Sequence, residues 1–512
     1  MKTPRLLAWM VIAGFTLAGC VTSAEDIDEQ RVNTAPTITP NTAGAPAGLE
    51  EFYSQEISWD ECDQMWCTRV VVPMDYDNPD GETIEIAVKQ LRRSDDAHPA
   101  LFVNPGGPGG SGVQMMDYIN ELSSPELQEA YHITGFDPRG VNQSTPVVCE
   151  DDRAHDARRA RDYDMDDPAQ REAAVADAQT YADACAENTG ALLGFVDTIS
   201  AARDLDILRA VVGGTDKLDY LGFSYGTYLG ATYADLFAER VGHMVLDGAL
   251  DPLLTNHELA AGQAEGFDNA IRAYIADCQA GPKCPLRGDV DDGLTQLERL
   301  FTSLRNTPLP TDQQGRELTR SLALMGVITP LYNQSSWPAL SQALTQAMQE
   351  HDGSMLLYFA DLMADRNPDG SYETNSDDAF VAINCLDYPV IGQMDDWQRE
   401  AEELTEISPL FGADLGYGEL ACSLWAHQST RERSELHATG SDPIVVIGTT
   451  GDPATPYRWS TALASQLDNA YLVTYDGEGH TAYSTDHPCI VSIVDAYFLD
   501  DQIPDDNATC PQ

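Results

Sequence analysis

Leu221-Gly222-Phe223-Ser224-Tyr225-Gly226 is the stretch on which the reading of this chain turns. It holds a G-x-S-x-G pentapeptide between an apolar run at 218–221 and a run of helical character at 227–240. The first reads as a buried strand and the second as a helix. A serine on a sharp strand-to-helix turn carries its hydroxyl above the sheet edge. The flanking glycines admit the tight turn and the close approach of neighbouring backbone. At ordinary glycine and serine usage, a chain this long shows one such pentapeptide by chance roughly one time in six. A bystander serine on a glycine-rich turn is therefore the plain alternative, and the presence or absence of partners decides between the two.

A nucleophilic serine needs a base, and the base needs an orienting acid. On a β/α-alternating chain they follow in the order serine, acid, histidine, each just past a late strand. Val445-Val446-Ile447-Gly448-Thr449-Thr450-Gly451-Asp452-Pro453 fits the acid: a β-branched run, a glycine turn, then Asp452. Leu472-Val473-Thr474-Tyr475-Asp476-Gly477-Glu478-Gly479-His480 fits the histidine, 28 residues further on. His480 would take the serine proton and return it to the leaving group, while Asp452 fixes the tautomer. Asp452 has a local alternative as a turn residue before Pro453. His487 is the rival histidine, but it precedes Pro488 and does not directly follow a strand, so His480 is preferred.

An oxyanion hole needs two backbone N–H donors, each worth about 10²–10³ in rate. Tyr225, directly after the serine, is one candidate. The other lies in Asn104-Pro105-Gly106-Gly107-Pro108-Gly109-Gly110-Ser111-Gly112, which follows a buried-strand run at 100–104, and Gly107 is the donor chosen there. The spacing matches neither a G-x-G-x-x-G loop nor a Walker loop, which weighs against a phosphate cradle.

The runs at 68–72 and 84–90 read as an opening hairpin, and 132–136 as another buried strand. Residues 198–212 have helical spacing through Ile199, Leu205, Leu208, Val211 and Val212. A strand follows at 243–246. After a long interruption, 444–447 and 471–474 resume the strand pattern and 490–498 reads as a closing helix. Such alternation implies an α/β fold, a mostly parallel sheet with helices on both faces. The interruption is helix-rich, as at 293–304 and 337–349, and its first strand-like run is 379–383. It reads as a large, mainly helical inserted lid. The expected division is a signal peptide at 1–20, a flexible linker at 21–48, core at 49–254, lid at 255–430 and core again at 431–512.

The N-terminus has Lys2 and Arg5, an apolar run at 6–17, then Leu17-Ala18-Gly19-Cys20. A charged start, a short apolar run and small residues make a secretory signal, too short for a comfortable membrane span. The L-A-G-C sequence resembles a bacterial lipobox, which makes Cys20 the lipidation site. An uncleaved anchor, or ordinary cleavage beside a stray cysteine, is the alternative. Setting Cys20 aside leaves ten of the 11 cysteines, an even set suited to disulfides in an exported protein. Pairing in sequence order is the simplest arrangement: 62–67, 149–185, 278–284, 385–422 and 489–510. No C-x₂-C pair stands near histidines at ligand spacing, and neither metal nor cofactor is expected. The formal net charge is −54, with 83 acidic against 29 basic residues, which argues against nucleic-acid binding. Acidic runs such as 162–167 read as solvated faces, with attraction of cationic substrates as the functional alternative.

Together these motifs resemble the prolyl iminopeptidase and tripeptidyl aminopeptidase group of α/β-hydrolases, and most closely its secreted tripeptidyl-aminopeptidase-like branch. The likeness is carried by the 104–112 loop, Gly135-Phe136-Asp137-Pro138-Arg139-Gly140, and the pentapeptide continuing through Gly230. It continues in Met244-Val245-Leu246-Asp247-Gly248, Ala382-Ile383-Asn384-Cys385-Leu386-Asp387, Gly451-Asp452-Pro453-Ala454-Thr455-Pro456 and Gly477-Glu478-Gly479-His480. It runs from about residue 60 to the C-terminus. The resemblance implies an α/β-hydrolase fold and a cofactor-free serine exopeptidase. That enzyme would release short peptides, tripeptides or proline-containing residues, from free N-termini, with Ser224, Asp452 and His480 as its triad. Asn142 departs from the glycine expected in D-P-R-G-x-G, which bears on a loop and not on the triad. Asp387 is the candidate partner of the substrate α-ammonium. The implied partners are peptides with a free N-terminus and, through the lipid, the membrane of a bacterial cell envelope. A carboxylesterase with the same triad and a non-catalytic binding lipoprotein are the competing functions, the intact triad weighing against the latter.

Overall fold

The chain was analysed as a computed structural model, which describes residues 35–94, 97–429, 431 and 433–512. Cys20, the signal segment and part of the linker lie outside the described residues. Ten strands form one sheet: β1 (Asp60–Cys62), β2 (Met65–Pro73), β3 (Thr83–Leu91), β4 (Ala100–Asn104), β5 (His132–Phe136), β6 (Leu218–Phe223), β7 (Val241–Asp247), β8 (Ile444–Gly451), β9 (Ala470–Glu478) and β10 (Ala508–Pro511). Their spatial order is β1-β2-β3-β5-β4-β6-β7-β8-β9-β10. β1, β2, β3 and β5 pair antiparallel, and every pairing from β5 through β10 is parallel. β4 and β5 are buried at every position, which is why neither shows the alternation of a half-exposed strand. Parallel order brings the C-terminal ends of β4, β6, β7, β8 and β9 to one edge, where α/β sheets place their sites. Register sets Phe223 opposite Asp247, Asp247 opposite Ile447, and Gly451 opposite Glu478.

The helices that matter to the site are α1 (Asp152–Arg159), α2 (Pro168–Thr189), α3 (Thr198–Leu208), α4 (Tyr225–Leu236), α5 (Asn256–Ala280), α6 (Arg320–Leu331) and α7 (Ser376–Asp387). α3 and α4 pack on the sheet through Leu205, Leu208, Leu229 and Tyr233. The helices between β7 and β8 build a core of their own, with Phe267, Leu297, Leu322, Leu340 and Leu356 all buried.

Three sequence expectations are corrected. Residues 379–383 are helical, within α7. Their buried members Ala379, Ala382 and Ile383 recur at three- and four-residue steps, the helical period. The 162–167 run is not simply solvated, because Asp162 pairs with Arg305 and Arg320. A small hairpin, Leu309–Pro310 with Glu317–Leu318, interrupts the helical insertion ahead of α7.

All five disulfides follow sequence order: Cys62–Cys67, Cys149–Cys185, Cys278–Cys284, Cys385–Cys422 and Cys489–Cys510. Each such closure is typically worth about 2–4 kcal/mol, and a set of this size fits an oxidising, exported setting. No helix among the described residues is long and apolar enough to cross a membrane.

Candidate active site

Ser224 sits between β6 and α4 with φ 55° and ψ −124°, a region costly for any residue but glycine. Such strain, of order 1–3 kcal/mol, persists only where the surroundings enforce it. Here the Ser224 N–H donates to the Asp247 carbonyl at 2.9 Å, and its own carbonyl accepts from Thr227 N at 2.9 Å and Thr227 Oγ1 at 2.6 Å. Gly226 permits the turn to close: a Cβ there would stand 2.8 Å from the Asn104 carbonyl oxygen.

Asp452 lies just past β8 and is 3 % exposed. Its carboxylate accepts from the N–H groups of Ala454 at 2.9 Å, Thr455 at 2.8 Å and Thr481 at 3.3 Å. His480 Nδ1 stands 2.9 Å from each of its oxygens. Burial alone would lower the imidazole's pKa. The Asp452 charge and hydrogen bond outweigh it and hold His480 above its ordinary value, with Asp247 adding to the effect. The rival, His487, is engaged elsewhere: its Nδ1 meets the Ala482 carbonyl at 2.7 Å and its ring lies on Tyr475, centroids 4.4 Å apart.

The glycine loop approaches the serine from β4. Gly106, at φ 95°, lies closest: a Cβ there would be 2.9 Å from both Ser224 Cβ and Tyr225 N. The Gly106 N–H is taken by Asn104 Oδ1 at 3.0 Å. The Gly107 and Tyr225 N–H groups have no acceptor among the described residues. Asn142 adopts φ 42°, a left-handed conformation that asparagine tolerates, so the loop keeps the shape a glycine would give it.

A cavity of about 1190 Å³ opens beside His480 and Phe223, between the strand ends and the helical insertion. Its walls carry Glu478 and, from the insertion, Asp361, Asp365 and Glu373. Asp361 is neutralised by Arg159, Arg316 and Arg366. Glu478, Asp365 and Glu373 have no ion pair among the described residues. Burial pushes the Glu478 and Asp365 carboxyls up.

Asp387 is not in this wall, which corrects its assignment as the ammonium partner. It is 1 % exposed, and both carboxylate oxygens are occupied by Thr198, from N at 3.0 Å and from Oγ1 at 2.5 Å. Burial pushes its carboxyl up to about 6, against the pull of those bonds.

Two further residues shape the site. The Tyr332 carbonyl, just past α6, accepts from the backbone N–H of His480 at 2.8 Å, and the Tyr332 ring meets the imidazole edge-on at 5.3 Å. Asp247 accepts from Ala482 N at 2.8 Å and Tyr483 N at 2.6 Å, pinning the loop that carries His480. Burial pushes its carboxyl up to about 6. The motif around Asp247 was visible in sequence. Nothing local marked Tyr332.

Fold and site define an α/β-hydrolase of the serine-hydrolase class. A family model described as TAP-like protein matches residues 408–510. Serine protease Hip1 of Mycobacterium tuberculosis is 36 % identical over 458 residues, 87 % of this chain and 87 % of that protein. Carboxylesterase B of the same species is 34 % identical over 489 residues, 92 % of each. Tripeptidyl aminopeptidase of Streptomyces lividans is 29 % identical over 480 residues, 89 % of this chain and 86 % of that protein. The chain belongs to the TAP-like α/β-hydrolase group of serine peptidases.

Proposed function

We propose that this protein is a serine aminopeptidase that removes short peptides, tripeptides first among them, from free N-termini. Ser224 attacks the scissile carbonyl, and His480 takes its proton and hands it to the departing amine. Asp452 holds the imidazole tautomer, and the N–H groups of Tyr225 and Gly107 stabilise the oxyanion. Water then attacks the acyl-enzyme by the same route. The observation that carries this reading is the His480–Asp452 pair beside a cavity large enough for a peptide, whose wall includes three carboxylates, Glu478, Asp365 and Glu373, with no ion pair among the described residues. A desolvated α-ammonium needs such a partner. Glu478, two residues from His480, takes that role, and Asp365 and Glu373 line the same cavity from the insertion.

Side-by-side hydrolysis of free and N-acetylated alanyl tripeptide p-nitroanilides tests the reading. The free peptide is expected to be cleaved at least a hundredfold faster in kcat/KM. Equal rates would overturn the exopeptidase reading, and failure on both anilides with hydrolysis of a simple ester would favour the carboxylesterase reading that the 34 % identity to carboxylesterase B supports. The lipobox-like L-A-G-C sequence supports acylation of Cys20 and attachment to the cell envelope. Mass spectrometry of the mature N-terminus checks this, and an unmodified terminus upstream of Cys20 would refute it.

A further inference from the structure

α7 reaches both candidate oxyanion-hole donors, the glycine loop directly and Tyr225 through Thr198. At its N-terminal end it presses on the glycine loop. A Cβ at Gly109, φ 97°, would meet the Ser376 carbonyl oxygen at 2.6 Å and Phe380 N at 3.1 Å. Asn375, which precedes the helix, donates to the carbonyls of Gly140 at 2.9 Å and Val147 at 2.8 Å, and accepts from Asn142 N at 2.6 Å. Asn142 Nδ2 reaches Ser111 Oγ at 3.2 Å, at the far end of the same glycine loop.

The C-terminal end of α7, roughly 18 Å away at 1.5 Å per residue, carries Asp387. Thr198 Oγ1 is hydrogen-bonded both to Asp387 Oδ2 and to the Tyr225 hydroxyl. A threonine hydroxyl has one proton. The carboxylate takes it, so the Tyr225 O–H donates to Thr198 Oγ1. All three residues are buried, at 1 %, 0 % and 4 % exposure for Asp387, Thr198 and Tyr225. A buried tyrosine hydroxyl without a partner is costly, so this relay selects one placement of the Tyr225 side chain. The Asp387 carboxylate lies at the start of α3, where the helix N-terminus favours a negative charge. The Cys385–Cys422 disulfide ties the same turn of α7 to the segment at 422.

We propose that α7 is the brace of the oxyanion hole, and that Asp387 is a positioning residue acting on the Tyr225 amide through Thr198. The proposal rests on Ser224 being the nucleophile. It gives the insertion a part in the chemical step, separate from covering the cavity. Loosening the relay should misplace one of two donors that matter only when charge develops on the substrate oxygen. Turnover should fall while ground-state binding stays.

Thr198→Val tests this, because it keeps the shape and removes only the bridging oxygen. Tyr225→Phe and Asp387→Asn are its companions. The readouts are kcat and KM on an alanyl tripeptide p-nitroanilide, Ki for a peptide trifluoromethyl ketone, and Ki for the free tripeptide product. The ketone is a sensor of the hole because Ser224 Oγ, giving its proton to His480, bonds to the carbonyl carbon, and the carbonyl π pair becomes an oxyanion there. Thr198→Val is expected to lower kcat at least tenfold with KM within twofold. The ketone should weaken by a similar factor and the product not at all. The double variant Thr198→Val with Tyr225→Phe should be no worse than the poorer single. Normal kcat in a folded Thr198→Val protein would overturn the proposal. So would parallel losses in KM and product affinity, or losses that multiply in the double variant. Should Asp387→Asn fail to fold, Thr198→Val and Tyr225→Phe carry the test. Loss of activity in Ser224→Ala, checked beside them, separates failure of the brace from failure of the nucleophile assignment.

Discussion

On the sheet side of the cavity, Ser224, Asp452 and His480 stand at strand ends, and their neighbours hold them mainly through backbone. Asp452 accepts three backbone N–H groups, and the Ser224 N–H is fixed by the Asp247 carbonyl. On the opposite side the contacts are between charged side chains. Asp361 meets Arg159, Arg316 and Arg366, while Asp156 of α1 takes both Arg366 Nε and Nη2 at 2.7 Å. Backbone contacts set atoms to within tenths of an ångström whatever the neighbouring side chains. A network of arginines and aspartates tolerates the loss of one member. The first suits a reacting centre, the second a wall that can vary with its ligand.

The largest effects should follow from breaking the sheet side. Ser224→Ala or His480→Ala is expected to cut kcat by about 10⁴–10⁶, and Asp452→Asn by about 10⁴, as for triad residues that act as a unit. Steady-state kinetics on a tripeptide anilide measures this. A His480→Ala enzyme with near-normal rates, alongside a dead His487→Ala enzyme, would reverse the assignment.

On the cavity wall, Glu478→Gln should lower kcat/KM for free-amine peptides about thirtyfold or more while sparing a small neutral ester. Truncating one side of a desolvated charge pair costs about 2–5 kcal/mol. Equal loss on both substrates would make Glu478 structural.

Much of the sheet side was legible in the chain. The apolar run before Ser224 and the β-branched run before Asp452 are signals of period and composition, and they survive into the structure as β6 and β8. The order of the triad motifs needed no knowledge of distant contacts. The opposite side was read poorly for the converse reason. Tyr332 reaches the His480 N–H across a separation that no local pattern encodes. Asp387 is one of 83 acids, and composition does not encode that Thr198 occupies both of its oxygens. The run 379–383 is short and apolar, so it fits a buried helix or a strand equally, and tertiary packing decides. α1 and α2 carry no strong apolar stripe, so no apolar period in the local sequence marks them as helices.

A stability pair sharpens the same contrast. Arg139 is fully buried and forks onto Asp204 at 2.7 and 2.6 Å, with the carbonyls of Pro73, Met74 and Phe195 on its remaining donors. Arg139→Met strands a buried carboxylate and should cost about 3–5 kcal/mol. Arg366→Met leaves Asp361 with Arg159 and Arg316, and Asp156 with Arg316, and should cost clearly less. Urea denaturation of the two variants compares them, and equal losses would show that the Asp361 network tolerates the loss of an arginine no better than the Arg139–Asp204 pair does.

The smallest expected effect is on pH dependence. His480 acts as a base only when neutral, and its folded-state pKa is raised. The rate should therefore climb with pH along a limb lying above the ordinary imidazole value near 6.5. Asp247, with its carboxyl at about 6, is ionised over that limb and contributes to the rise. Asp247→Asn should shift the limb to lower pH by a fraction of a unit. A limb that stays put, or moves up, would remove Asp247 from the electrostatics of His480.

The claim beneath all of these is that one serine, on the turn after β6, does the chemistry. Treating the full-length protein with a fluorophosphonate and mapping the adduct by peptide mass spectrometry tests it directly. A single adduct on Ser224 is expected, absent from Ser224→Ala and orders of magnitude slower to form in His480→Ala. An adduct on another serine, or labelling that persists in Ser224→Ala, would contradict it.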